Sequence, residues 1–310
     1  MISSFFGKTK PINYVVLSVF LFLFYAGFVF LKANQEISVD TIPLNVLAVG
    51  VLLLSIYIIN RIVRVEKVTD FSSYAILFFV LLIVAFSEVL ADKNAIFCNF
   101  FLLLATWRLL AIKSIKNVKH KIFDASLLIC AASLFYDWAL VFFVLVFFVI
   151  NVYDRKTFKN WLVPIIGVLT FFILTFAFLR LNGQTFFFAE HYRFSFDFLK
   201  TDFFSNPGII KLLFYVLLLL AVMSLVFLKV RKKGGGKLVP LRIVFLAFVF
   251  GIFISLFKSN SASPVLIAFF PAAVFLTNYL ETIKKARLKE VVVGICIALS
   301  FVLFLLELNL

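Results

Sequence analysis

Charge is scarce in this sequence. Asp, Glu, Lys and Arg make up 15% of 310 residues, against about 25% in soluble domains. The shortage falls on the acids, 15 against 30 Lys and Arg, and leaves a net charge of +15. Cysteine is rarer still. Cys98, Cys130 and Cys296 all lie in apolar runs without a C-x-x-C spacing, which excludes a disulfide framework and a structural zinc site and leaves them as small hydrophobes. Only 11 Gly, 7 Pro and 2 His occur. No H-E-x-x-H, Ser/His/Asp arrangement or dinucleotide fingerprint is present. Gly234-Gly235-Gly236 lacks the spacing, the following Ser or Thr and the preceding strand of a phosphate loop and reads as a flexible turn. The first apolar run is too long for a signal h-region, and no small-x-small site follows it, so no cleavable signal is expected.

What is abundant is apolar. The chain is 64% hydrophobic with a mean hydropathy of +1.15, and 45 residues are Phe. Phe richness with little Gly, Ala or Pro points to an AT-rich bacterial gene. Long apolar runs at this density are transmembrane helices. Eleven spans are predicted in an all-α fold, at 12–31, 44–63, 72–90, 95–112, two within 124–153, then 161–181, 209–228, 239–257, 264–279 and 291–308. Pro11 opens the first, where its missing N–H costs nothing, and Pro271 marks a kink in the tenth.

The stretch 124–153 is decided by charge. One long bent helix would place the basic links after Tyr153, Leu228 and Tyr279 outside. A hairpin of two short helices with its tip at Asp137 keeps them inside, as the positive-inside rule requires. The N-terminus is then cytoplasmic and the C-terminus periplasmic. The net positive charge follows from the same rule and gives no reason to expect nucleic acid as a partner. Membrane lipids are expected partners instead, with Lys232, Lys233, Lys284 and Lys285 at their headgroups. The chain divides into a membrane module over 1–181, an aromatic segment over 182–208 lying in the periplasmic interface, and a second membrane module over 209–310.

Candidate chemistry gathers on the outer side. The hairpin helices of roughly 14 and 16 residues reach only about 21–24 Å, short of a hydrocarbon core of about 30 Å, which sets Asp137 below the surface. An ionisable group at that depth is a functional candidate; local thinning that leaves it among the headgroups is the structural alternative. Glu36 and Asp40, and Glu88 and Asp92, are acid pairs four residues apart. In a helix each pair would share a face and suit a divalent metal or general-base role; a solvated loop is the other reading. His191 and Arg193, in the aromatic segment, suit proton transfer or contact with a phosphate, against an idle interfacial position. His120, among lysines, is expected at lipid headgroups. Few acids lie within the spans, which argues against ion-coupled transport.

Two resemblances add to this reading. Phe6 through Pro11-Ile12-Asn13, Asn99 to Leu110 with Trp107-Arg108-Leu109, and Phe123 to Leu128 through Ser133-Leu134-Phe135-Tyr136 resemble an uncharacterised family of polytopic inner-membrane proteins from Bacteroidota. That likeness implies no activity. Outer acids after the first and third spans, followed by a basic link and a short-helix hairpin over residues 12–181, are similar to the membrane module of GT-C glycosyltransferases. The similarity implies an enzyme that uses a polyprenyl-phosphate sugar donor at the periplasmic face. Glu36 or Asp40 would be its base, Asp137, Glu88 or Asp92 would hold metal or acceptor, and Arg193 would lie near the carrier phosphate. The sequence departs from that pattern in its short first outer loop, its lack of an adjacent acid pair there, and the absence of a soluble outer domain after it. The expectation is a non-catalytic inner-membrane subunit of a larger envelope complex, in protein export or cell-envelope assembly, with other envelope proteins as partners and no cofactor. The GT-C enzyme, with a divalent metal, and a lipid or small-solute carrier are the alternatives.

Overall fold

A computed structural model describes residues 2–32, 42–184, 186–194, 207–232, 236–257 and 264–308. Every regular element among them is helical: α1 Ile2–Phe6, α2 Pro11–Lys32, α3 Ile42–Glu66, α4 Tyr74–Ala85, α5 Lys93–Leu110, α6 Val118–Ser133, α7 Phe142–Tyr153, α8 Phe158–Leu181, α9 Phe187–His191, α10 Pro207–Lys232, α11 Leu238–Phe257, α12 Phe269–Glu281 and α13 Ala286–Leu308. Short 3-10 turns precede or follow several of them, at Ser87–Leu90, Ala111–Ser114, Asp137–Val141 and Pro264–Ala268. Eight of the described helices are long and apolar enough to cross a membrane, and Tyr74–Ala85 and Asp137–Tyr153 are shorter apolar helices. The protein is therefore a multi-pass membrane protein.

The helices sort by how far they are covered. Eleven of the twelve residues of α4 are buried. In Pro264–Glu281 and Lys93–Ser114 most of the apolar window is also enclosed, whereas in α8 and α13 little of it is. A helix apolar all round and enclosed by protein is a core element, and one apolar all round but uncovered needs lipid against it. The core is α4, α5 and α12 with α11 beside them, and α2, α3, α8, α10 and α13 form the outer ring. In that packing α4 lies against α12 and α13, α5 against α3 and α6, α6 against α8, and α10 against α12.

Residues 124–153 fold as two helices, as charge required. α6 ends at Ser133, and the 3-10 turn from Asp137 leads into α7. The third expected span is broken: α4 stops at Ala85, Phe86 leaves helical geometry (φ −121°, ψ 60°), and the chain resumes as the turn Ser87–Leu90. Asp92 (φ −90°, ψ 94°) then caps α5, its carboxylate accepting the Ala95 N–H at 3.1 Å. Glu88 and Asp92 consequently do not share a helical face. Glu88 is exposed on the 3-10 turn and Asp92 is a half-buried N-cap.

Most hydrogen bonds and ion pairs between distant segments gather toward the two ends of the helices. At the basic end Glu281 accepts from the Asp70 N–H at 2.9 Å and the Ser72 hydroxyl at 2.7 Å, and Lys237 pairs with Asp70 at 2.5 Å. Ser3 donates to Glu290 at 2.7 Å, and Asn278 donates to the Val68 carbonyl at 3.1 Å. Glu66 lies near Trp107, Lys113 and Lys121. Lys232, Lys284 and Lys285 are exposed at this end, and Lys233 lies outside the described residues.

Two crossings depend on the absence of a side chain. A Cβ on Gly167 of α8 would sit 2.7 Å from Ser126 Cβ of α6, and one on Gly251 of α11 would meet the Ala268 backbone at 3.1 Å. Gly167→Ala is expected to destabilise the fold by about 1–3 kcal/mol through overpacking, and Ser126→Gly should restore most of the loss. Thermal unfolding of the single and double variants in detergent tests this; equal stability of Gly167→Ala and the parent would show that α6 and α8 do not cross at these residues.

Candidate functional site

The site builds from the hairpin tip. Asp137 opens the 3-10 turn before α7 and is 4% exposed. One carboxylate oxygen accepts the adjacent Trp138 N–H and the other accepts the Phe194 N–H, each at 2.9 Å. The acid thereby holds the backbone of a segment 57 residues downstream. Ser133, at the end of α6, fastens that segment at two more points. Its carbonyl lies 2.7 Å from His191 Nε2, and a carbonyl only accepts, so Nε2 carries the proton. Its hydroxyl donates to the Cys130 carbonyl at 2.7 Å, so the Tyr192 hydroxyl at 2.8 Å donates to Ser133. Burial pushes the Tyr192 phenol above its ordinary pKa. The neutral, donating form is favoured by folding, so this contribution is complete below about pH 10 and is lost only as pH rises beyond the ordinary phenol range.

Aromatic packing completes the attachment. Phe188 and Tyr192 lie 5.3 Å and 5.9 Å from Phe172 of α8, ring centre to ring centre. Phe187 stacks on His191 at 5.0 Å. Trp138 touches Phe194 at 5.3 Å and Phe257, at the end of α11, at 4.6 Å. Asp92 joins the same corner through Tyr136, whose hydroxyl donates to the carboxylate oxygen that the cap leaves over. The structure therefore gathers Asp92, Asp137 and His191 around the hairpin tip. It leaves Glu88 and Arg193 exposed on its outside. Glu36 and Asp40 lie outside the described residues. Among the described residues no three His, Cys, Asp or Glu side chains group closely enough to hold a metal ion.

A second polar centre escaped the sequence reading. Lys211 of α10 pairs with Glu307 of α13, and both are largely covered. The ammonium also donates to the Ala85 carbonyl, left free where α4 breaks, and lies 4.3 Å from the centre of the Phe86 ring. The second oxygen of Glu307 accepts from the Ser87 N–H at 3.0 Å and its hydroxyl at 2.5 Å. The signal was a lone Lys near the start of one apolar run and a lone Glu near the end of another, on the same side by span count.

The sequence pattern of one family matches residues 15–309. The chain belongs to DUF6427, a family of unknown function. No curated protein and no solved structure matches it.

Two outcomes are expected. Asp137→Ala should free the segment around Phe194, so that limited trypsin cleaves after the exposed Arg193 several-fold faster than in the parent; an unchanged cleavage rate would remove Asp137 as the anchor. Lys211→Met leaves Glu307 covered and unpaired and should cost roughly 3–5 kcal/mol, whereas Lys211→Met with Glu307→Leu should recover most of that. Denaturation of the three proteins in detergent reads the difference.

Proposed function

We propose that this protein is a non-catalytic subunit of the bacterial inner membrane, whose aromatic end is a docking platform for other proteins of an envelope complex. One observation carries the reading. Asp92 and Asp137, two of the candidate acids, are engaged in holding structure, and the segment that Asp137 holds presents Phe186 and Arg193 outward. Phe186 is 74% exposed at the edge of the docked segment. A large exposed aromatic and an exposed Arg on one docked segment are residue types that anchor protein interfaces.

The same proposal takes eleven segments as crossing, with the basic end cytoplasmic. Its support is the positive-inside distribution and the gathering of distant polar contacts toward two ends. Protein export and cell-envelope assembly are the processes that suit a subunit built in this way. The GT-C alternative takes Glu36 or Asp40 as its base, and each oxygen of Asp137 already accepts a backbone N–H.

The test is a mild-detergent pull-down of the tagged protein from its native membrane, analysed for proteins and lipids. Stoichiometric protein partners that are lost from Phe186→Ser at normal abundance are expected. A solitary protein carrying polyprenyl phosphate would overturn the subunit reading in favour of the glycosyltransferase.

A further inference from the structure

Helices α2 and α3 run antiparallel in the outer ring, and two contacts fix their register. The Tyr25 hydroxyl donates to Asn45 Oδ1 at 3.3 Å toward one end, and the rings of Tyr14 and Tyr57 meet at 6.4 Å toward the other. One turn beyond the tyrosines, at the basic end, this register sets Lys10, the residue before α2, at the level of Arg61. Arg64 stands at i+3 from Arg61, so the two side chains are neighbours, and at i+7 from Tyr57, on the stripe of α3 that faces α2. Three cations therefore converge at the mouth of the α2–α3 groove.

No carboxylate answers them. Lys10, Arg61 and Arg64 take part in none of the ion pairs among the described residues. The acids on the neighbouring segments are engaged elsewhere: Glu66 lies near Lys113 and Lys121, Asp70 pairs with Lys237, Glu281 accepts from Ser72 and Glu290 from Ser3. Lys10 and Arg61 are exposed. Arg64 is half-buried, and its Nε is covered and has no hydrogen-bond partner among the described residues. Like charges one turn apart repel, and a covered guanidinium N–H without an acceptor is unfavourable. An anion among the three relieves both, and a phosphate offers the paired oxygens that a guanidinium fork fits.

The groove that leads away from these cations is apolar. Leu54 and Tyr57 are exposed along it, and a Cβ on Gly50, two turns from Tyr57, would meet nothing within 4 Å. Tyr57 marks the boundary between the charged and the apolar stretch, as aromatic residues do at a membrane–water interface. A soluble anion matches the cations alone, whereas an amphiphile with a phosphate and a hydrocarbon chain matches the whole groove. We propose that the α2–α3 groove binds one anionic phospholipid, its phosphate among Lys10, Arg61 and Arg64 and an acyl chain along Leu54 and Gly50. The site is separate from the exposed Lys232, Lys284 and Lys285. It lies at the opposite end of the helices from the aromatic segment and does not depend on the docking proposed there.

Photocrosslinking of the full protein in phosphatidylcholine nanodiscs tests the site. A small fraction of phosphatidylglycerol carries a diazirine in one acyl chain, and the labelled peptides are mapped by mass spectrometry. Labelling of α2 and α3 should exceed that of α8 and α13 several-fold, although α8 and α13 are less covered by protein. Phosphatidylcholine with the same diazirine should follow exposure instead and favour α8 and α13. Arg61→Gln with Arg64→Gln should bring the phosphatidylglycerol pattern to that of phosphatidylcholine, whereas Lys116→Gln with Lys119→Gln, an equal loss of charge, should leave it as in the parent. Inorganic phosphate should not displace the lipid more than sodium chloride of equal ionic strength does. Identical patterns for the two lipids in the parent protein would overturn the proposal, whether or not any variant folds. Undiminished labelling of α2 and α3 in the arginine variant, or equal loss in the lysine variant, would overturn it too. Specific displacement by inorganic phosphate would assign the cations to a soluble anion and overturn the lipid as occupant.

Discussion

A polar group buried in an apolar helical bundle must find its partner inside the protein, because lipid supplies no hydrogen bonds. That requirement accounts for where this molecule is irregular. The break at Phe86 frees the Ala85 carbonyl, and Lys211 meets it. Lys211 then needs a counter-charge, which Glu307 provides, and the remaining oxygen of Glu307 is met by Ser87. At the hairpin tip Asp137 is matched by two backbone N–H groups. At the other end the amide of Asn13 donates to the carbonyls of Phe5 and Lys8, each at 2.8 Å, and ties the N-terminal residues to the start of α2. The break after α4 is closed by side chains from two distant helices, and the hairpin tip by the backbone of a distant segment.

The inner and outer helices meet the same solvent differently. In α4 and α12 the apolar surface faces protein on nearly every side, so their fit depends on shape, and small residues set the closest approaches. Gly251 lies directly over Ala268, and Gly167 over Ser126. On α8 and α13 large side chains such as Phe178 and Leu305 point outward, where acyl chains suit them as well as protein does.

The helices were legible in the sequence because apolar length reports them directly, and the hairpin was legible because charge must sort by side. Asp137 was recognisable as an unusual residue, but its role was not. Its partner is the backbone of Phe194, 57 residues away, and backbone N–H groups leave no mark in composition. Glu88 and Asp92 misled for a local reason. Four-residue spacing implies a shared face only inside a helix, and Phe86 ends the helix before either acid is reached. Lys211 and Glu307 were visible as isolated charges, yet 96 residues separate them and nothing in the sequence joins them.

The Glu307 contact to Ser87 spans 220 residues, and this has a consequence for how the protein is made. At about 5–20 residues per second of synthesis, the interrupted end of α4 enters the membrane on the order of 10–40 s before its acidic partner leaves the ribosome. Lys211 follows Ala85 by 126 residues, so for the first half of that interval the loosened turn has neither Lys211 nor Glu307, and for the rest it lacks Glu307. The nascent chain therefore depends on the insertion machinery, or on water at the bilayer surface, to satisfy the Ala85 carbonyl and the Ser87 N–H. The last helix completes the assembly by sealing a gap left by one of the first.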